Sequence, residues 1–308
     1  MDLILQILLL VVGFVFLIKG ADWFVDGSSS IAAKFGIPQL VIGLTIVAMG
    51  TSAPEAAVSI TAALGGNAEI TIGNIVGSNI LNILIILGLS ALITPLVVAK
   101  STIRIETPFM ILITAALLVM GLDTKITLVD GIILIALFLA YLEYLFIMAK
   151  KDKQKDEKAD EIPVLKSLAL IVIGLALIII GSNFTVDSAS FIAKELGLSE
   201  RFIGLTIVAL GTSLPELFTS VMAARKGNAD IAIGNIVGSN IFNILFVVGI
   251  SSIITTVPFA ENFIFDIAIA IAASVMLWLC CIKNAKLKRW AGILMLLSYV
   301  AYFVVILV

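Results

Sequence analysis

Apolar residues run along most of the chain in blocks of about twenty, separated by short polar breaks. A bilayer core of about 30 Å needs roughly 20 apolar residues per helix. The pattern therefore predicts ten membrane spans, over residues 3–20, 38–64, 70–95, 103–121, 126–149, 163–184, 200–224, 231–256, 262–283 and 288–308. Only the connection at 150–162, with the run KKDKQKDEKADE from Lys150 to Glu161, reads as a solvated linker. It divides the chain into five-span units at 1–149 and 163–308. The N-terminus lacks a positive stretch ahead of its apolar run, which is long enough to span, so no cleavable signal peptide is expected.

The two units are copies of each other. Shifting the sequence by 161 positions aligns roughly 75 residues without a gap. Gly43-Leu-Thr-Ile-Val-Ala48 reappears as Gly204 to Ala209, and Gly73-Asn-Ile-Val-Gly-Ser-Asn-Ile80 as Gly234 to Ile241. Pro54 falls on Pro215, Glu55 on Glu216, Asn82 on Asn243 and Asp26 on Asp187. Five spans per copy force the second to enter the membrane from the opposite side, so the repeats are expected to be inverted. The expected fold is all-α, ten transmembrane helices as two inverted five-helix repeats, with spans two, three, seven and eight interrupted at the core. Inverted repeats with interrupted helices are the pattern of secondary transporters, which bind near the midplane.

Composition narrows the chemistry. The 308 residues are 61% hydrophobic and 13% charged, against about 25% charged in soluble domains. There is no histidine, which removes His-based zinc sites, Ser-His and Cys-His nucleophiles and His-ligated haem. Adjacent Cys280 and Cys281 form no CxxC motif, and a net charge of −2 leaves no footprint for nucleic acid. Lys and Arg are retained on the cytoplasmic side of membranes. With the N-terminus outside, all 19 of them except Lys125, Lys194 and Arg201 fall on that side. Both termini are therefore expected outside the cell membrane and the central loop inside. Leu64 and Gly65 correspond to Arg225 and Lys226, as if the same loop faced opposite sides in the two copies.

The candidate site lies where polar residues interrupt apolar spans. Gly50-Thr-Ser-Ala-Pro-Glu55 and Gly211-Thr-Ser-Leu-Pro-Glu216 each carry a proline, which lacks an amide hydrogen and frees the carbonyl four residues back, that of Gly50 or Gly211. Such carbonyls are potential cation ligands. Thr51 and Glu55, Thr212 and Glu216, Ser78 and Asn82, and Ser239 and Asn243 are each four apart, a spacing that puts a pair on one helix face. The collected donors are carboxylates, carboxamides, hydroxyls and carbonyls, a hard-oxygen set suited to Na⁺, Ca²⁺ or Mg²⁺. A charged side chain at the bilayer centre costs at least about 2.5–3.5 kcal/mol, so Glu55 and Glu216 are read as functional. Gly73 with Gly77, and Gly234 with Gly238, read instead as close helix packing. Asp26, Asp187, Glu106, Glu143 and Asp266 lie near span ends or lack a paired motif, and read as interfacial or packing charges.

These duplicated motifs resemble the two α-repeats of the cation/Ca²⁺ antiporter superfamily, nearest to prokaryotic, especially archaeal, sodium/calcium exchangers. The resemblance covers nearly the whole chain. It implies alternating access, with Na⁺ entering against Ca²⁺ leaving, commonly three for one, and with spans one and six sliding across the remaining bundle. It implies that Glu55 and Glu216 bind Ca²⁺ and share in Na⁺ sites, completed by Thr51, Ser52, Ser78 and Asn82, by Thr212, Ser213, Ser239 and Asn243, and by the carbonyls of Ala48 and Ala209. Many prokaryotic and potassium-dependent relatives have Asp where Asn243 stands, which removes one potential charge here.

With Asn243 neutral, two carboxylates balance one Ca²⁺, whereas three Na⁺ leave one excess positive charge, so competition at shared glutamates couples the ions and exchange should move charge. Protons compete for the same carboxylates. The partners expected are these ions and the lipid bilayer, without cofactor, nucleic acid or obligate protein partner. The rivals are a proton-coupled or potassium-dependent exchanger with the same motifs, a channel, which gives no reason for inverted repeats, and an intramembrane enzyme, for which no catalytic set is present.

Overall fold

Where water is excluded, backbone polar groups must pair within the chain, and nearly all the residues described in this computed structural model are helical. It describes residues 3–151, 162–197 and 209–307. The helices are α1 (Leu3–Phe35), α2 (Gln39–Thr51), α3 (Ala53–Leu64), α4 (Glu69–Ile93), α5 (Thr102–Gly121), α6 (Leu128–Lys151), α7 (Val164–Glu195), α8 (Ala209–Thr212), α9 (Leu214–Arg225), α10 (Ala229–Ile254), α11 (Asn262–Ile282) and α12 (Arg289–Leu307). Among the described residues eight helices are long and apolar enough to span, and α2 with α3, bent by 49°, makes a ninth. The expected seventh span starts among residues 198–208, outside the described residues, and is represented by α8 and α9. Residues 152–161 of the expected linker also lie outside them.

The fold is layered around α4 and α10. Their most apolar windows are 78% and 83% buried, against 17–33% for the other six full-length helices, whose leucines, isoleucines and valines face outward over wide areas. This distribution is that of a multi-pass membrane protein, with a polar-lined centre and a lipid-facing rim. Two short antiparallel pairings tie the copies together: β1 (Leu96–Val97) with β4 (Lys286–Leu287), and β2 (Lys125–Ile126) with β3 (Val257–Pro258). A shift of 161 converts the first pairing into the second, so the copies hold each other reciprocally.

Three expectations are corrected. Spans one and six do not stop at 20 and 184 but continue as α1 and α7 to Phe35 and Glu195. At 1.5 Å per residue, the 33-residue α1 is about 50 Å long, well beyond the bilayer core. Its polar extension is held by partners elsewhere: Lys226 Nζ reaches Asp22 and Asp26 at 2.6 Å each, Asn228 donates to Ser29 at 2.9 Å, and Ser167 donates to Ser30 at 2.9 Å. Spans three and eight are not interrupted. They contain no proline, and α4 and α10 run continuously, with wider π-helical turns at Asn82–Leu87 and Asn243–Val248 in place of breaks. The glycine reading holds for one copy only. A Cβ on Gly238 would come within 2.8 Å of Leu44, and one on Gly234 within 3.0 Å of the Leu40 carbonyl, but among the described residues Gly77 has nothing within 4 Å.

The closest helix pair is α1 with α7, which cross antiparallel through glycines spaced seven apart. A Cβ on Gly13 would lie 2.9 Å from the Gly181 carbonyl oxygen, one on Gly20 2.7 Å from that of Gly174, and one on Gly27 2.7 Å from that of Ser167. In lipid, where apolar surface gains nothing by leaving the solvent, such backbone contact is what holds helices together. Gly174→Leu is expected to lower the melting temperature of the detergent-purified protein, since overpacking costs about 1–3 kcal/mol. Leu112→Ala, at an outward position 65% exposed, should leave it nearly unchanged. Equal melting temperatures for the two variants would refute this account of the pair.

Candidate cation site

Proline and serine build the same turn twice. At Ser52 (φ −83°, ψ 7°) the helix leaves its regular path, Pro54 occupies the start of α3, and Glu55 falls in the first turn of α3. Ser213 (φ −89°, ψ 4°), Pro215 and Glu216 do the same at α9. A helix N-terminus favours negative charge in its first turn, so each break both frees backbone and seats a carboxylate.

The copies then complete each other. Ser52 Oγ donates to Glu216 Oε1 at 2.8 Å and Ser213 Oγ to Glu55 Oε1 at 3.3 Å. Thr51 and Thr212 immediately precede these serines in the two copies. Glu55 is 1% exposed and Glu216 0%, and the two carboxyl groups are near enough to repel each other. Among the described residues the second carboxyl oxygen of each, Oε2, is buried with no hydrogen-bond partner, and so are Asn82 Oδ1 and Asn243 Oδ1. These four oxygens accept but cannot donate when the carboxylates are ionised. Leaving one such group unpaired costs about 1–3 kcal/mol, and oxygens of this kind are the donors that a hard cation takes.

The other expected ligands divide. Ser78 is buried and lines a cavity of about 160 Å³ with Gly73, Asn74, Gly77 and Tyr302. Thr51 Oγ1 lies 2.9 Å from Asn235 Oδ1 and 3.1 Å from its own helix's Val47 carbonyl. Ser239 donates to the Ala48 carbonyl at 3.4 Å, an oxygen that also takes the Ser52 amide at 3.0 Å. Ala209 opens α8, next to residues outside the described set. The Gly211 carbonyl freed by Pro215 is not left open, because Ser182 Oγ of α7 donates to it at 2.7 Å.

Several participants were not singled out from sequence. Asn74 Nδ2 donates to the Glu55 carbonyl and to Ser59 Oγ at 3.2 and 2.9 Å, and Asn235 Nδ2 to the Glu216 carbonyl and Ser220 Oγ at 3.4 and 2.8 Å. Asn79 and Asn240 face each other across the middle of α4 and α10. All six recur at the 161 shift, the one signal that could have found them. Of the isolated acids read as packing charges, Glu106 accepts from Tyr144 through one oxygen, its Oε2 being buried without a partner among the described residues, and Asp266 accepts from Tyr302 at 2.9 Å. A cavity of about 180 Å³ beside Glu106 is lined mainly by apolar groups and collects a single carboxyl, so it does not match the paired set.

Comparison with known proteins shows the family. The family model for sodium/calcium exchanger proteins matches residues 5–147 and again 166–308. A putative antiporter, CaxA, of Alkalimonas amylolytica is 39% identical over 94% of this chain and 95% of its own length. The sodium/calcium exchanger MaX1 of Methanosarcina acetivorans is 34% identical over 97% of each. The solved structure of the sodium-calcium exchanger NCX_Mj soaked with Na⁺ and Ca²⁺ superimposes with a TM-score of 0.86, at 37% identity and 98% coverage of both chains. A family model matching twice, over most of a chain that carries the paired glutamates in both matches, leaves one assignment: this multi-pass membrane protein belongs to the sodium/calcium exchanger family.

Proposed function

We propose that the protein is a secondary antiporter of the cell membrane that moves Na⁺ inward and Ca²⁺ outward by alternating access. The observation that carries this reading is the set of four buried, unpartnered oxygens on Glu55, Glu216, Asn82 and Asn243, two carboxylates and two carboxamides drawn equally from both copies. Around them Thr51, Ser52, Ser78, Thr212, Ser213 and Ser239, with the Ala48 and Ala209 carbonyls, make up the ion sites. Names of relatives support the same ions: MaX1 is a sodium/calcium exchanger and NCX_Mj a sodium-calcium exchanger.

Five spans per copy, 1–149 and 163–308, give inverted repeats. The reciprocal strand pairings and the crossed serine–glutamate bonds support a two-fold relation between the copies. Both termini lie outside and the central loop inside. The Lys226 contacts with Asp22 and Asp26 put these three residues at one end of the bundle, and the distribution of Lys and Arg assigns that end to the cytoplasm. Spans one and six, α1 and α7, slide as a unit against the remaining helices.

Two negative charges select between two loads. One Ca²⁺ neutralises them, and three Na⁺ leave one positive charge over, so the loads exclude each other through shared ligands. The doubly charged empty site crosses poorly, because an uncompensated buried charge is costly. A three-for-one cycle moves one net charge, and 100 mV then supplies about 2.3 kcal/mol.

Three outcomes are expected in proteoliposomes. Na⁺-loaded vesicles should take up ⁴⁵Ca²⁺, and Glu55→Gln or Glu216→Gln should reduce that uptake at least tenfold, since losing one of two compensating charges costs several kcal/mol. Uptake that persists without Na⁺ and follows a pH gradient would replace Na⁺ with H⁺ as the coupling ion. An imposed potential should change the rate, and strictly voltage-independent uptake would overturn the three-for-one stoichiometry. Because metal ligation needs deprotonated carboxylates, Ca²⁺ binding should weaken between about pH 8 and pH 5. Equal binding at both would contradict a site built on two glutamates.

A further inference from the structure

The four unpartnered oxygens raise a question of orientation. A carboxamide has an oxygen on one side and an NH₂ on the other, and a half-turn of Asn82 or Asn243 would aim two N–H donors at a cation. Something must fix which way each amide faces. The contacts across α4 and α10 settle this by elimination, starting from two backbone carbonyls, which can only accept.

Asn79 has its amide nitrogen 3.3 Å from the Asn240 carbonyl oxygen, and Asn240 has its own 3.1 Å from the Asn79 carbonyl oxygen. Carbonyls do not donate, so both NH₂ groups are committed to them. The opposite ends of these two amides are therefore oxygens. Asn79 Oδ1 lies 3.1 Å from Asn243, and Asn240 Oδ1 lies 2.9 Å from Asn82. Facing an oxygen, Asn243 and Asn82 must each present Nδ2. That leaves Asn243 Oδ1 and Asn82 Oδ1 on the far side, where they are buried without a partner. Each residue of this chain of bonds is at most 4% exposed.

We infer that Asn79 and Asn240 are positioning residues that form a reciprocal clasp across the two copies and hold the amide oxygens of Asn243 and Asn82 toward the cation. The inference rests on the exchange reading above and deepens it. The clasp also dictates charge. An ionised carboxylate at 243 cannot donate to Asn79 Oδ1 and would set oxygen against oxygen, so this arrangement calls for a neutral donor at 243 and at 82, which the two amides supply. The formal charge of the site is thereby kept at that of its two glutamates. Control runs crosswise: Asn79 of the first copy acts on Asn243 of the second, and Asn240 of the second on Asn82 of the first.

The crossing supplies the test. Full-length protein in proteoliposomes is assayed for Na⁺-dependent ⁴⁵Ca²⁺ uptake, with direct Ca²⁺ binding measured on the same purified samples. Asn79→Ala should raise the KM for Ca²⁺ about tenfold, the loss expected from one buried hydrogen bond, with a smaller change in kcat. In an Asn243→Ala background the same substitution should add almost nothing, and in an Asn82→Ala background it should act in full. The mirrored cycle, Asn240→Ala against Asn82→Ala and Asn243→Ala, should invert the pattern, and it stands alone if Asn79→Ala does not yield folded protein. A role confined to docking the two copies would lower kcat and melting temperature without this crosswise coupling, and that result overturns the clasp. So does an unchanged KM in a wild-type protein that binds Ca²⁺ and exchanges it. A wild type that binds no Ca²⁺ overturns the exchange reading itself, which the binding measurement separates from failure of the clasp.

Discussion

Two carboxylates within a membrane-embedded core are the constraint on which the rest of this structure depends. Each would be expelled or neutralised unless the chain compensated it, and the compensation accounts for the least ordinary features of the fold. Glu55 and Glu216 sit in the first turns of helices begun afresh by proline, where the backbone favours negative charge. Each accepts a hydroxyl hydrogen from the other copy. Among the described residues no donor meets the second oxygen of either carboxyl group. Compensation is thus partial there, and on the exchange reading a cation supplies the rest.

The same economy explains why polar contacts cluster where they do. Asparagines fill the centre of α4 and α10, the two most buried helices, and their bonds run between copies as well as within them. A buried amide network of this kind is costly when half satisfied, so each added asparagine has been matched by a carbonyl, hydroxyl or second amide. The α1–α7 pair follows the opposite rule. It is joined by glycine-to-carbonyl contact along its length and tied to the other helices at a few polar points, among them Ser182 to Gly211 and Lys226 to Asp22 and Asp26. A pair rigid within itself and sparsely bonded to its surroundings is suited to move as one body, which the exchange reading requires.

Much of this was legible in the residue pattern, and what was missed has physical reasons. Apolar runs located the helices because a lipid-facing helix must be apolar over about 20 residues. They misplaced the end of α1 because hydropathy falls at Asp22 and Asp26 although the helix continues, stabilised by a lysine some 200 positions away, and the end of α7 because the polar residues Asp187 and Ser188 follow residue 184. Proline marked the break before Glu55 and correctly had no counterpart in α4, where the expected interruption is a π-helical turn starting at Asn82. The glutamates stood out because charge at membrane depth is rare. Asn79 and Asn240 did not, since an asparagine inside a repeated motif can be ligand, support or packing, and only its partners decide which. The capping of the Gly211 carbonyl by Ser182 was likewise invisible, since Ala21 stands at the corresponding position in the first copy.

Where the copies differ is as informative as where they agree. The 161 shift places Gly65 opposite Lys226 and Asn183 opposite Asp22, so the ion pair that holds α1 to the α9–α10 connection has no counterpart built from the equivalent residues. The candidate ligand types, by contrast, are matched one for one: glutamate with glutamate, asparagine with asparagine, serine with serine. On the exchange reading this division suits the task. Similar donors in both copies keep the ion's preference for one state small. Bias between the two states is better placed at the ends, away from the ion. The lysine and its two aspartates are a fifth to a half exposed, and screened pairs of that kind contribute no more than about 1 kcal/mol, roughly a fivefold shift in population. On the exchange reading, an ion pair made in one state and broken in the other would bias the resting face by that weight while leaving the opposite state within thermal reach.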